Sequence, residues 1–125
     1  PELLDDEATF EFLVYDLEPR KVGELKTAKY GLCEILLGRY IDGDRVAIEL
    51  VGAKGSKFPG EKIATVSANV LEAELHAGEF CVRDYELGLL MPDLNKCELF
   101  EVAERGGRPF EVKSGFVSMP VWRIK

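Results

Sequence analysis

The residues of this chain that could support chemistry are few and lie apart. The densest polar group is Arg83-Asp84-Tyr85-Glu86. On a strand, Arg83 and Tyr85 share one face and Asp84 and Glu86 the other. A buried pair of carboxylates can divide acid and base roles in a hydrolytic reaction. The competing expectation is two solvated carboxylates, with Asp84 capping a helix that follows. His76 is the single histidine and lies among Glu72, Glu74 and Glu79. One histidine cannot build a multi-histidine metal centre, and no Ser-His-Asp spacing surrounds it. Ser56, Ser67, Ser114 and Ser118 all lack a G-x-S-x-G context. The loop Gly52-Ala53-Lys54-Gly55-Ser56-Lys57 has glycines and lysines but not the G-x-x-x-x-G-K-[ST] spacing, and it joins two strands. Its expected role is a mobile basic tip. No catalytic residue, metal ligand or cofactor follows from these motifs.

A second set of polar residues comes from strand alternation. In Ile63 to Leu71, Thr65, Ser67 and Asn69 fall on one face, and Ala64, Val66, Ala68 and Val70 on the other. With Tyr85 this polar row is a candidate ligand-facing surface; the alternative is a solvated sheet face rich in strand-forming residues.

The elements that must position these groups are mostly strands. Residues 45–71 read as RVAIELV, a Gly/Lys-rich loop and KIATVSANVL, the pattern of a hairpin. Asp42-Gly43 predicts a type I′ turn tying in a preceding strand, Leu32 to Tyr40. Thr9 to Asp16 alternates as a strand, and Lys21 to Tyr30 is expected to be irregular or extended. Phe80 to Tyr85, Cys97 to Ala103, Phe110 to Lys113 and Phe116 to Ile124 are further strands, with a turn at residues 105–109. Pro120 predicts an edge strand or a bulge. Glu86 to Asn95 predicts a short helix, limited by Pro92 unless that residue starts a second turn. The expected fold is α+β: a mainly antiparallel curved sheet or partial barrel, with one or two short helices, in a single domain over residues 1–125. Residues 1–8 are expected to be a loose acidic arm.

Composition bounds the function. The chain has 125 residues, 46% of them hydrophobic and 31% charged, an ordinary globular balance. No run is long and apolar enough to span a bilayer, and no signal peptide is visible. Cys33, Cys81 and Cys97 form no C-x-x-C pair and are expected to be reduced, buried thiols in the cytoplasm. The net charge is −7, and residues 1–18 hold seven acids and no Lys or Arg. The rest of the chain is neutral overall. No dense basic patch favours direct contact with duplex nucleic acid.

Taken in order, RVAIELV, GEKIATVSANV, FCVRDYE and SGFVSMPVWRI resemble a family of small bacterial proteins of unknown function, often carried on plasmids, integrated elements or phages. The matching residues are Tyr40, Ala47-Ile48-Glu49-Leu50, Gly60-Glu61, Ala64-Thr65-Val66, Asn69, Asp84-Tyr85, Gly115-Phe116-Val117 and Pro120. Arg83 stands where the family has lysine, Glu86-Leu87-Gly88 replaces its E-N-E-G helix start, and residues 1–39 have no counterpart. The resemblance implies a mobile-element setting and supplies no catalytic residue. The resulting expectation is a non-enzymatic interaction protein, an inhibitor or modulator of a host defence or nucleic-acid-processing system. Its acidic contacts to a protein partner would be Asp5, Asp6, Glu7, Glu72, Glu74, Asp84 and Glu86. The alternatives are a small-molecule binder using Thr65, Ser67, Asn69 and Tyr85, and a small hydrolase using Asp84, Glu86 and His76.

Overall fold

Alternating apolar residues produce strands at intervals throughout residues 19–125, the part of the chain that the computed structural model describes. The first sheet contains β1 (Arg20–Thr27), β2 (Gly31–Arg39), β3 (Val46–Gly52) and β4 (Lys62–Thr65), in that spatial order. The second contains β5 (Ser67–Ala68), β6 (Glu79–Val82), β7 (Phe100–Val102), β10 (Glu111–Ser114) and β11 (Val117–Ile124). All pairings are antiparallel. A small hairpin, β8 (Glu104–Arg105) and β9 (Arg108–Pro109), lies between β7 and β10. Among the described residues the sheets do not close into a barrel.

The expected strand from Ile63 to Leu71 is divided. β4 pairs with β3 and β5 pairs with β6, so the chain leaves one sheet and enters the other at Val66. The backbone stays satisfied at the crossing. Val66 N–H donates to Ile48 O at 2.8 Å, and Arg83 N–H donates to Val66 O at 2.8 Å.

Two cores follow from the two-residue period of the second sheet. Phe80, Val82 and Trp122 point into the main core with Leu25, Cys33, Ile35, Ile48 and Leu50. Cys81, Met119 and Val121 point the other way, onto Val70, Ala73, Ala103 and Val112. The main core is closed by a helical segment: α1 (Asp84–Leu87), a 3₁₀ turn (Gly88–Leu90) and α2 (Met91–Asn95). Leu87, Leu90 and Leu94 are its buried side, and Pro92 occupies the first turn of α2, where its missing N–H costs nothing. Phe80, Phe100 and Trp122 meet edge-on or stacked, with ring centroids 5.4 to 6.5 Å apart.

Residues 20–27, expected to be irregular or extended, form a regular strand with a bulge between Lys21 and Gly23. Leu99 packs where a Cβ on Gly23 would be. Other expectations change. The strand expected at Phe80 to Tyr85 ends at Val82, and Asp84 begins a helix, so Arg83, Asp84 and Tyr85 do not alternate on a strand. The turn after β2 is a four-residue loop, 41–44, closed by Tyr40 N–H to Arg45 O at 2.8 Å. Positive φ falls on Gly43 and Asp44, so Asp42-Gly43 is not a two-residue type I′ turn. That geometry appears instead at Gly106-Gly107, with φ of 62° and 80°, between β8 and β9. Pro120 lies in an interior strand. Val121 N–H is directed to Phe110 O, so the missing donor at Pro120 faces the β6 side, where that ladder ends at Val121. The strand expected at Cys97 to Ala103 shortens to Phe100–Val102. Thr9 to Asp16 and the arm at residues 1–8 lie outside the described residues.

Gly52 gives a sharp test of the loop after β3. Its N–H donates to Glu61 O, and its carbonyl accepts from Gly60 N–H, both at 2.8 Å, so residues 53–60 fold back over it. A Cβ at Gly52 would stand 1.7 Å from the Phe58 carbonyl oxygen. We expect Gly52→Ala to cost about 3 kcal/mol through overpacking, read as a lower urea midpoint.

Candidate functional site

The polar residues of β5 and of the β6–α1 junction converge on Ser67. Ser67 is fully buried, as is Tyr40 at the end of β2. The Tyr40 hydroxyl lies 2.8 Å from Ser67 Oγ and 3.1 Å from the Ser67 carbonyl oxygen. Ser67 Oγ accepts the Ile48 N–H at 2.9 Å. Arg83 Nε donates to the Ser67 carbonyl at 2.7 Å. A consistent proton assignment has Ser67 Oγ–H donating to Tyr40 and the Tyr40 hydroxyl donating to the Ser67 carbonyl. Burial pushes the Tyr40 phenol up; its bond to Ser67 and the nearby Arg83 charge oppose this. A phenol held protonated in this way is a framework hydrogen-bonding group, not a base.

The polar row expected to face a ligand is therefore not an open face. Ser67 is consumed inside the core. Thr65 sits across from Glu49 on β3. Asn69 Nδ2 donates to Asp42 O at 3.0 Å and holds the 41–44 loop. Tyr85 is half exposed on α1. The physical reason is the sheet change at Val66, which breaks the two-residue alternation that would have kept these side chains together. Glu49 is half-buried, and burial raises its carboxyl pKa against the pull of Lys62.

The carboxylates named from the sequence occupy two different places. Glu72 and Glu74 are exposed on the loop that carries Ala73 into the second core. Asp84 and Glu86 lie on α1, whose Leu87 enters the main core. Asp84 does not cap the helix: Arg83 holds the N-cap position, and no side-chain capping bond forms. Glu86 pairs with Arg83 at 3.5 Å and is largely exposed. His76 sits in the loop before β6, and its carboxylate neighbour is Glu79, 3.9 Å from Nδ1. Nothing joins His76 to Asp84 or Glu86 as a hydrolytic site requires. Asp5, Asp6 and Glu7 lie outside the described residues. Among the described residues, no three His, Cys, Asp or Glu side chains converge as metal ligands. Cys33 and Cys81 are buried free thiols, and burial raises both, Cys81 to about 11.

The strongest ion pair had no signal in the sequence. Glu79 begins β6 and its side chain is almost fully buried. Arg105, at the end of β8, grips it with Nη1 at 2.9 Å from Oε2 and Nη2 at 2.8 Å from Oε1. His76 N–H adds a third bond at 2.8 Å. Arg105 also covers the Phe110 ring at 4.2 Å. Together these hold the β8–β9 hairpin against the second sheet. The Arg105 bonds, joined by the His76 N–H, lower the Glu79 pKa from 4.5 to about 2 against the opposing effect of burial. A pairing across 26 residues of chain leaves no local mark, which is why neither residue stood out.

Two outcomes follow from these bonds. Ser67→Ala leaves the Ile48 N–H and the Tyr40 hydroxyl short of partners in the core, so stability should fall by about 2 to 3 kcal/mol, measured by chemical denaturation. The Glu79 contribution is complete above the ordinary carboxylate range and is lost as pH falls from about 4.5 toward about 2. Glu79→Gln should lower stability at neutral pH and flatten the acid limb of the melting-temperature profile over that window.

Compared with known proteins, this chain matches no family model, no curated protein and no solved structure.

Proposed function

We propose that this protein is a non-enzymatic interaction module that binds a basic protein surface by shape and charge. The observation that carries this is the helical segment after β6. Its buried side is fixed by Leu87, Leu90 and Leu94, yet Tyr85 is 49% exposed and Leu89 70% exposed. Glu86 lies between them in the chain and is exposed, with Asp84 alongside in sequence. An aromatic and an aliphatic side chain left open, with the exposed Glu86 carboxylate between them in the chain, suit a partner that offers an apolar pocket rimmed by Lys or Arg. Proteins that handle nucleic acid present such basic surfaces. With the mobile-element setting that the sequence resemblance implies, this supports an inhibitor or modulator of a host defence or nucleic-acid-processing system. The small-molecule alternative loses its main support, because the Ser67 hydroxyl is taken up inside the core.

The test places a photo-crosslinking residue at Leu89 and, separately, at Lys113 as a control. A specific partner is expected at Leu89 and not at Lys113. With that partner purified, Tyr85→Ala should weaken binding at least ~10-fold. Glu86→Lys should slow association and reduce its dependence on salt. Affinity and salt dependence unchanged in both variants would reject this function.

A further inference from the structure

The outer edge of the first sheet carries backbone groups that lack a neighbouring strand. Among the described residues β1 pairs with β2 alone. In an antiparallel pair, opposed residues either exchange both bonds or both turn away from each other. Leu32 turns away from β1, since its carbonyl accepts the Ala53 N–H at 3.0 Å. Lys26 stands opposite Leu32, so its N–H and C=O point outward, and those of Glu24, two residues earlier, do the same. No other backbone group among the described residues bonds to them. A groove of about 610 Å³ runs beside this edge, between residues 23–26 and the turn at 96–99. Cys97 and Leu99 are half-buried in its wall. Asp93, also in the lining, accepts the Ala28 N–H at 3.2 Å. An open edge of this kind is a template for a further strand.

We propose that residues 9–16 of this chain dock as a strand on that edge. Residues 1–18 precede the described part and lead directly into β1. Residues 9–16 match the eight residues of β1 in length, and residues 17–19 have the length of a hairpin loop. That loop sets Asp16 opposite Arg20. The bulge adds Val22 to β1, so from Gly23 onward the pairing slips by one and Glu11 stands opposite Lys26. Acid then meets base near both ends of the pairing. The same register sets Phe10, Phe12 and Val14 opposite Thr27, Leu25 and Gly23. That is the core face of β1, where Leu25 is buried and Leu99 packs on Gly23. Charge and apolar pattern therefore select one register together.

The test uses the isotope-labelled full chain and needs no added ligand. Nuclear Overhauser contacts should join Phe12 Hα to Leu25 Hα, a directly opposed pair without mutual hydrogen bonds. The Glu24 and Lys26 amides should be protected from hydrogen exchange. Leu13→Pro removes the N–H that faces Glu24, and should speed exchange at Glu24 and Lys26 at least ~10-fold while Ile48 and Leu50 in β3 keep their protection. If the variant loses the β3 protection too, the Phe12–Leu25 contact in the unchanged chain decides. A sample mixed from differently labelled chains separates the occupants. Contacts seen only between chains assign the edge to a second copy and overturn docking within one chain. Rapid exchange at Glu24 and Lys26 in the unchanged chain, protection that Leu13→Pro leaves intact, or no contact between residues 9–16 and β1 also overturns it.

Discussion

The structure depends on how one strand changes sheets inside the protein. Residues 62–68 begin beside β3 and end beside β6, and the crossing is buried at Val66 and Ser67. Backbone polar groups at such a point have no water to turn to, so each must find a protein partner. Val66 divides its N–H and carbonyl between Ile48 and Arg83. Ser67 supplies the rest, taking the Ile48 N–H on its hydroxyl and the Arg83 guanidinium on its carbonyl, with the Tyr40 phenol bonded to both oxygens. Four segments distant in the chain are bound to one another there. Each bond contributes only about 1 kcal/mol net, but each orphaned group would cost more. The cluster therefore specifies the path of the chain as much as it stabilises it.

That crossing also separates the surfaces. β6 presents Phe80 and Val82 to one core and Cys81 to the other. The loop with Glu72 and Glu74 covers the second core, while the segment with Asp84, Tyr85, Glu86 and Leu89 covers the first. The Glu79–Arg105 pair fastens the β8–β9 hairpin where β7 and β10 line up along β11. Function is consequently read from what the framework leaves outward. The helical segment leaves Tyr85 and Leu89 open, with the exposed Glu86 carboxylate between them in the chain.

Local pattern reached much of this. In Arg45 to Val51, Val46, Ile48 and Leu50 share the core face, and β3 forms where that alternation placed it. Leu32 to Tyr40 and Phe116 to Ile124 likewise carry strands, and of Phe80 to Tyr85 the first three residues do. The helix from Glu86 onward and the second turn begun by Pro92 are legible because proline tolerates only the first positions of a helix. Residues 20–27 form a strand whose Gly23 leaves room for Leu99, a contact from far along the chain that no local pattern shows. Ser67 misled. Alternation assigned it with Thr65 and Asn69 to a polar face, and nothing local shows that the chain switches sheets one residue earlier.

The sequence by itself determined a sheet-dominated α+β fold with antiparallel strands, a short helical cover and a strongly acidic first 18 residues. These follow from side-chain period, proline and glycine chemistry, and charge, all of which act over a few residues. Tertiary structure alone decided which polar groups belong to the framework and which face outward. Ser67, Tyr40 and Arg83 meet across 16 to 27 residues of chain, and Glu79 meets Arg105 across 26. Partners that distant are chosen by the packing of whole elements, so the same serine or carboxylate reads identically in the sequence whether it ends in the core or in solvent.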